Sequence, residues 1–172
     1  MNLIQRSFYK TKIGELVLAS FEDRLCLLDF RYRKMRQKVD DRIATMLGAE
    51  FEEQETDVIK FAKQQLDEYL LGKRKAFDVP VRMVGTGFQV QVWHTLQTIG
   101  YGETASYLTL ANKLEDPKAV RAVAAANGAN GLAIIVPCHR IIGSKGDLVG
   151  YGGGIRVKQQ LLQLEAPDLF AF

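Results

Sequence analysis

The sequence predicts an α/β chain of the α+β kind, built as a small N-terminal sheet-plus-helix domain followed by a mainly helical C-terminal domain with a helix-turn-helix. Three observations predict it. Short β-prone runs are confined to the first third, helical spacing dominates the second half, and a proline- and glycine-bearing stretch from Pro80 to Gly87 separates them. The expected boundary divides residues 1–84 from residues 85–172, within what 172 residues allow for one domain or two small ones.

Glu15 to Ser20 and Arg24 to Phe30 are β-prone runs around the polar pair Glu22-Asp23, the pattern of a hairpin. Cys26 lies inside the second run and reads as a small buried hydrophobe. Arg31 to Lys38 holds five basic residues, read as a solvated face, with nucleic-acid contact the alternative. From Asp57 to Leu71, Ile59, Ala62, Leu66, Tyr69 and Leu70 recur at helical spacing, and Gly72 follows as a stop.

In the second half, Phe88, Val92, Leu96 and Ile99 share a helix face that ends at Gly100 and Gly102. Ser106 caps a helix from Tyr107 to Leu114. Glu115-Asp116-Pro117 starts the next, with Asp116 as N-cap and Pro117 in the first turn, and that helix ends near Asn127-Gly128. Two helices across a short turn form the helix-turn-helix pattern. On the second of them Val120, Val123, Ala124 and Asn127 fall to the core side. Lys118, Arg121, Ala122 and Ala125 fall to the other, where two cations beside methyl-sized side chains suit close approach to a duplex; an ordinary solvated helix face is the alternative. Leu132 to Val136 reads as a buried strand. A polar turn, the flexible Gly150-Tyr151-Gly152-Gly153-Gly154 and a last helix with Val157, Leu161, Leu162 and Leu164 complete the chain.

Composition excludes several classes. Hydrophobic residues make up 47% and charged residues 25%, as in a soluble globular protein. With no long apolar run and no cleavable leader, membrane insertion and secretion are not expected, and the cytoplasm is. Two cysteines, Cys26 and Cys138, do not make a disulfide scaffold, so reduced thiols are expected. Together with His94 and His139 they offer no zinc spacing, and neither metal nor cofactor is expected. The net charge of +3 is too mild to argue for a polyanion partner by itself.

Pro137-Cys138-His139-Arg140 carries the chemistry. A thiolate is the nucleophilic form of cysteine, and a neighbouring imidazole or cation lowers the thiol pKa from about 8.5. A thiol beside an imidazole after an apolar run therefore points to covalent chemistry on sulfur. Neighbours in an extended chain point to opposite sides, so His139 is expected to reach Cys138 through a sharp turn or a bridging water. Pro137 and Asn130-Gly131 are residues that set such turns. Taken singly, Tyr107 reads as a core residue at a helix start, Glu165 as an exposed helix-terminal acid and Asn130-Gly131 as an ordinary turn. A cysteine peptidase is compatible with the Cys-His pair alone, and a helix-turn-helix regulator with a sensor cysteine is compatible with the helices.

The joint order of motifs reverses those readings. Phe88-Gln89, Val92-Trp93, Leu96, Gly102, Tyr107, Leu110-Ala111, Arg121-Ala122-Val123, Asn127-Gly128, Asn130 and Ile135 to Arg140 occur in sequence. Gly150-Tyr151, Gly153-Gly154, Lys158, Leu161-Leu162 and Glu165 follow. This pattern resembles the O6-alkylguanine-DNA alkyltransferases, densely over residues 86 to 165 and loosely before them.

The resemblance implies a DNA repair protein that acts once, moving the alkyl group of O6-alkylguanine in double-stranded DNA onto its own Cys138 as a thioether. It implies His139 as the base for the thiol and Glu165 as the acid that orients it. Tyr107 turns the guanine out of the stack and donates a proton to the departing base. Arg121 fills the gap, with Lys118, Ala122 and Ala125 on the same DNA-facing side. Asn130 braces the active-site turn with Pro137, and Tyr151 and Gly152 wall the pocket. A monomer is expected. Gly131, Gly87 and Gly100 stand where the family commonly has proline, and Ala124 where it commonly has glycine. A tryptophan in place of the cysteine marks relatives that bind lesions without repairing them; here the position is Cys138.

Overall fold

The computed structural model describes residues 2–171, and the chain divides into two compact units between Gly85 and Thr86. The first unit is built on a four-stranded sheet of β1 (Leu3–Thr11), β2 (Gly14–Phe21), β3 (Arg24–Phe30) and β4 (Glu50–Glu53), in the order β3-β2-β1-β4. The expected hairpin is β2 and β3. Phe21 pairs with Arg24, and Glu22 and Asp23 sit at φ 49° and 64°, the left-handed pair that a two-residue turn of this twist requires.

β4 runs parallel to β1. Its connection passes through α1 (Arg36–Leu47), a helix the sequence pattern does not reveal, because only Val39 and Ile43 are buried and no side chain caps its start. β1 is hidden for a similar reason: charged and polar residues alternate through it and only Ile4 is fully buried. Val17, Ala19, Cys26 and Leu27 pack with Val39 and Ile43 in one cluster. Leu16 and Leu18, opposite by the strand alternation, are equally buried, and α2 (Asp57–Leu70) packs on β1, β2 and β3. Burial pushes the Cys26 thiol up to about 12.

One expectation is corrected in this unit. The basic stretch is not simply a solvated face. Asp29, 1% exposed, takes Arg33 Nη1 at 3.0 Å and Arg36 Nη1 at 2.8 Å, and Arg31 pairs with Glu15 at 2.8 Å. A buried carboxylate needs such partners, and only Lys34 and Lys38 of the five remain fully exposed. The Pro80–Gly87 stretch is an extended connection held against the sheet. Leu25 N–H donates to Pro80 O (2.9 Å) and Arg82 N–H to Leu25 O (2.8 Å), while Val84 joins the core cluster.

The second unit holds α3 (Gly87–Leu96), α4 (Tyr107–Lys113), α5 (Val120–Gly128) and α6 (Ile155–Glu165). Thr86 and Gln89 close a capping box on α3. Val92, Trp93 and Leu96 form its buried face, and Phe88, expected with them, stands 37% exposed at the first turn. Trp93 Nε1 donates to Ala126 O at 2.9 Å, joining α3 to α5. Ser106 caps α4 as expected, accepting from Thr109 N at 3.1 Å.

Asp116 does not cap α5. Its N–H returns to Ala111 O (3.0 Å), while Glu115, at φ 61°, donates to Asn112 O (2.9 Å). That is a Schellman closure of α4, and it delays the next helix to Val120, behind Ala119. Leu132 to Val136 is not a strand either. Ile135 N–H donates to Ala133 O (2.8 Å) around Ile134 at φ 72°, and Val136 N–H donates to Leu132 O (2.8 Å), so the apolar run folds back on itself as a tight buried loop. Positive φ at a β-branched residue is strained backbone, and here it lies four residues before Cys138.

Candidate active site

The turn that carries Cys138 is built from short local bonds. Cys138 N–H donates to Val136 O (2.8 Å) across Pro137, at φ −81° and ψ 61°, an inverse γ-turn that runs straight into a 3-10 turn over Cys138–Arg140. Asn130 braces this turn from three sides. Its Nδ2 donates to Val136 O (2.9 Å) and to Cys138 Sγ (3.2 Å), and its Oδ1 accepts from Leu132 N–H (2.9 Å). Cys138 is thereby held at 8% exposure with a donor on sulfur, and neither cysteine is in a disulfide.

His139 is wholly buried and its Nε2 lies 2.7 Å from Glu165 Oε2. Burial holds its imidazole below the ordinary range, with Glu165 pulling the other way. A neutral ring that donates Nε2–H to the carboxylate keeps its lone pair on Nδ1, which makes no hydrogen bond among the described residues. Glu165 is itself the hub of the site. Arg140 Nε meets Oε1 at 2.8 Å, Arg140 Nη2 meets Oε2 at 3.2 Å, and Gly102 N–H donates to Oε1 at 3.2 Å. At Gly102 (φ 79°) a Cβ would stand 3.1 Å from Glu165 O, so the close approach needs glycine. Arg140 Nη1 also donates to Ile99 O at 2.6 Å. The exposed-acid reading of Glu165 is therefore replaced by a buried, four-bonded carboxylate.

Tyr107 opens α4, half-buried. Burial raises its phenol, Asn127 hydrogen-bonds to it and lowers it, and charge on Cys138 raises it further. Tyr151 brings the glycine-rich loop to the site, its ring edge-on to His139 at 6.5 Å between centroids. Gly152, next in that loop, is exposed. Lys118, Arg121, Ala122 and Ala125 all lie exposed on the outer side of the helix-turn-helix, opposite the buried Val123 and Asn127.

Three residues gain places the sequence reading did not assign. Asn127 reaches Tyr107, Arg140 bridges Glu165 to Ile99, and Lys158 Nζ donates to Val149 O (3.0 Å) and to Ile141 O. Lys158 shares helical spacing with Leu161, Leu162 and Glu165, all buried, and that spacing is the signal that could have marked it. Burial pulls its amine down to about 8, and negative charge on Cys138 opposes this. Among the described residues no group of metal-ligating side chains is present, and no helix is long and apolar enough to cross a membrane.

Comparison with known proteins agrees with this architecture. Residues 4–83 match the family model for the 6-O-methylguanine DNA methyltransferase ribonuclease-like domain, and residues 87–167 match that for its DNA binding domain. A methylated-DNA–protein-cysteine methyltransferase of Methanosarcina acetivorans is 40% identical over 159 residues, covering 92% of this chain and 96% of the relative. The constitutive methylated-DNA–protein-cysteine methyltransferase of Bacillus subtilis is 43% identical over 157 residues, covering 91% and 92%. The crystal structure of Mycobacterium tuberculosis OGT in complex with DNA superposes with a TM-score of 0.79 at 38% identity, over 96% of this chain and 93% of that one. The chain belongs to the methylated-DNA–protein-cysteine methyltransferase family.

Proposed function

We propose that this protein repairs DNA by moving the alkyl group of O6-alkylguanine, in double-stranded DNA, onto Cys138. The observation that carries the reading is the buried constellation in which Asn130 donates to Cys138 Sγ while the adjacent His139 is held by Glu165. His139 Nδ1 takes the thiol proton, directly or through a water, and Glu165 stabilises the imidazolium that results. The Cys138 thiolate attacks the alkyl carbon, a C–S bond forms and the C–O6 bond breaks with its electron pair going to the guanine. Tyr107 then gives the departing base a proton. A thioether offers water no route back to the thiol, so each molecule acts once.

The target atom lies within the base stack, so the base must be extruded at a cost of a few kcal/mol. Arg121 offsets part of that cost from the gap, and Lys118, Ala122 and Ala125 let α5 approach the backbone closely. Tyr151 and Gly152 wall the pocket, and Pro137 and Asn130 keep the turn in shape. Residues 1–84 and 85–172 act as two domains, the second carrying the DNA contacts and the acceptor. The protein works as a monomer in the cytoplasm, with no cofactor.

Intact mass after incubation with a duplex bearing one O6-methylguanine, followed by peptide mapping, tests this. The expected result is one methyl group on Cys138, never more than one per protein, and none in Cys138→Ala, which still binds the lesion. Transfer that persists in Cys138→Ala overturns the assignment of the acceptor, and binding without any mass change overturns the reaction.

A further inference from the structure

Lys158 stands in the first turn of α6 with its side chain wholly buried. Its ammonium is met by two main-chain carbonyls, those of Ile141 and Val149. Ile141 directly follows the 3-10 turn that carries Cys138. Val149 directly precedes the segment Gly150 to Gly154, whose Tyr151 stands edge-on to His139. One side chain therefore joins the nucleophile's segment to the pocket-wall segment.

Two physical arguments give that junction a purpose. A segment with glycine at four of five positions has large backbone freedom, and holding it in one conformation needs a specific attachment. A buried amine is also a poor choice for stability alone, since an apolar side chain of the same length avoids its desolvation. What methionine at this position lacks is donors aimed at two carbonyls at once.

We infer that Lys158 is a positioning residue whose ammonium tethers the loop from Val149 to Gly154 to the Cys138 turn, so that the pocket wall is in place when the guanine enters. The inference rests on the proposed alkyl transfer. It assigns Lys158 no contact with the reacting atoms.

The test compares the wild type, Lys158→Met and Lys158→Arg by three readouts: amide hydrogen exchange over residues 149–154, the rate of methyl transfer from duplex O6-methylguanine, and the rate of Cys138 alkylation by iodoacetamide, a small electrophile that needs no pocket wall. In Lys158→Met the loop amides should exchange faster and methyl transfer should slow on the order of tenfold to a hundredfold, while iodoacetamide alkylation stays within about twofold. Lys158→Arg, which keeps charge and donors, should recover loop protection and methyl transfer together. A parallel loss of iodoacetamide alkylation and methyl transfer overturns the inference, because Lys158 would then act on the thiolate. Unchanged loop exchange in Lys158→Met overturns it as well. Should Lys158→Met not fold, Lys158→Arg decides alone: loop exchange and methyl transfer must move together, and either moving alone overturns the tether. Failure of the proposed function has a separate signature, a wild type that takes no methyl group while loop exchange still depends on residue 158.

Discussion

His139 has two neighbours that work against each other: a dry surrounding that disfavours its charge and a carboxylate that favours it. Burial wins, so the folded imidazole protonates below its ordinary value of about 6.5. As pH falls through that value the unfolded chain takes up a proton before the folded one does. The stability held in the neutral ring is therefore complete above about pH 6.5 and is lost as pH drops toward the lowered folded value. Denaturant midpoints at about pH 7.5 and about pH 5.5 should show a smaller acid loss in His139→Gln than in the wild type. An equal loss in both would place the acid sensitivity elsewhere. The same depression favours an unprotonated Nδ1, as the proposed removal of the thiol proton requires.

Elements show where a sequence is readable. The β2–β3 hairpin, α2 and α4 were legible because each combines an apolar rhythm with a local stop or cap: Glu22-Asp23, Gly72 and Ser106. α1 and β1 carry too few buried residues for periodicity to speak. The loop at Leu132–Val136 misleads more deeply, since an apolar run that folds back through Ile134 looks the same in sequence as one that extends. Around the site, Cys138, His139 and their turn are legible from local residue types. Glu165 and Asn130 are not, because their partners lie 26 and 8 residues away and only the fold closes those distances.

Two predictions belong to this scale. Asp29→Asn leaves Arg33 and Arg36 facing a neutral amide; with Arg36 still bonded to Asp40, the loss should be about 1–3 kcal/mol, short of the ~3–5 kcal/mol of a fully dry pair, read from urea unfolding. Arg121→Ala, on the exposed face of α5, should slow repair of duplex DNA more than reaction with the free alkylguanine base. Equal slowing would remove Arg121 from the gap left by the extruded base.

Across the whole molecule, charge is nearly balanced at +3, and three of the five basic residues from Arg31 to Lys38 are committed to carboxylates. Lys118 and Arg121 are the two exposed cations that the proposed function gives to DNA. Binding should then weaken gently with salt, with a log–log slope of about −2 at roughly 0.9 per neutralised phosphate. Titration of affinity against ionic strength checks this, and a slope beyond about −4 would bring further basic residues into the contact. The share of Val84 in the first unit's core was not visible in the sequence, since a single valine in an irregular stretch carries no rhythm.

Cys26 gives the molecule one more property. Its sulfur is sealed in the sheet's core and holds its proton up to about 12, whereas Cys138 lies in the turn proposed to receive the alkyl group. Under native conditions a mild thiol reagent should count one sulfur in an unspent molecule and none in a spent one. On the proposed reaction the protein is its own dosimeter: the ratio of native to denatured thiol titre in a sample falls as repair capacity is used.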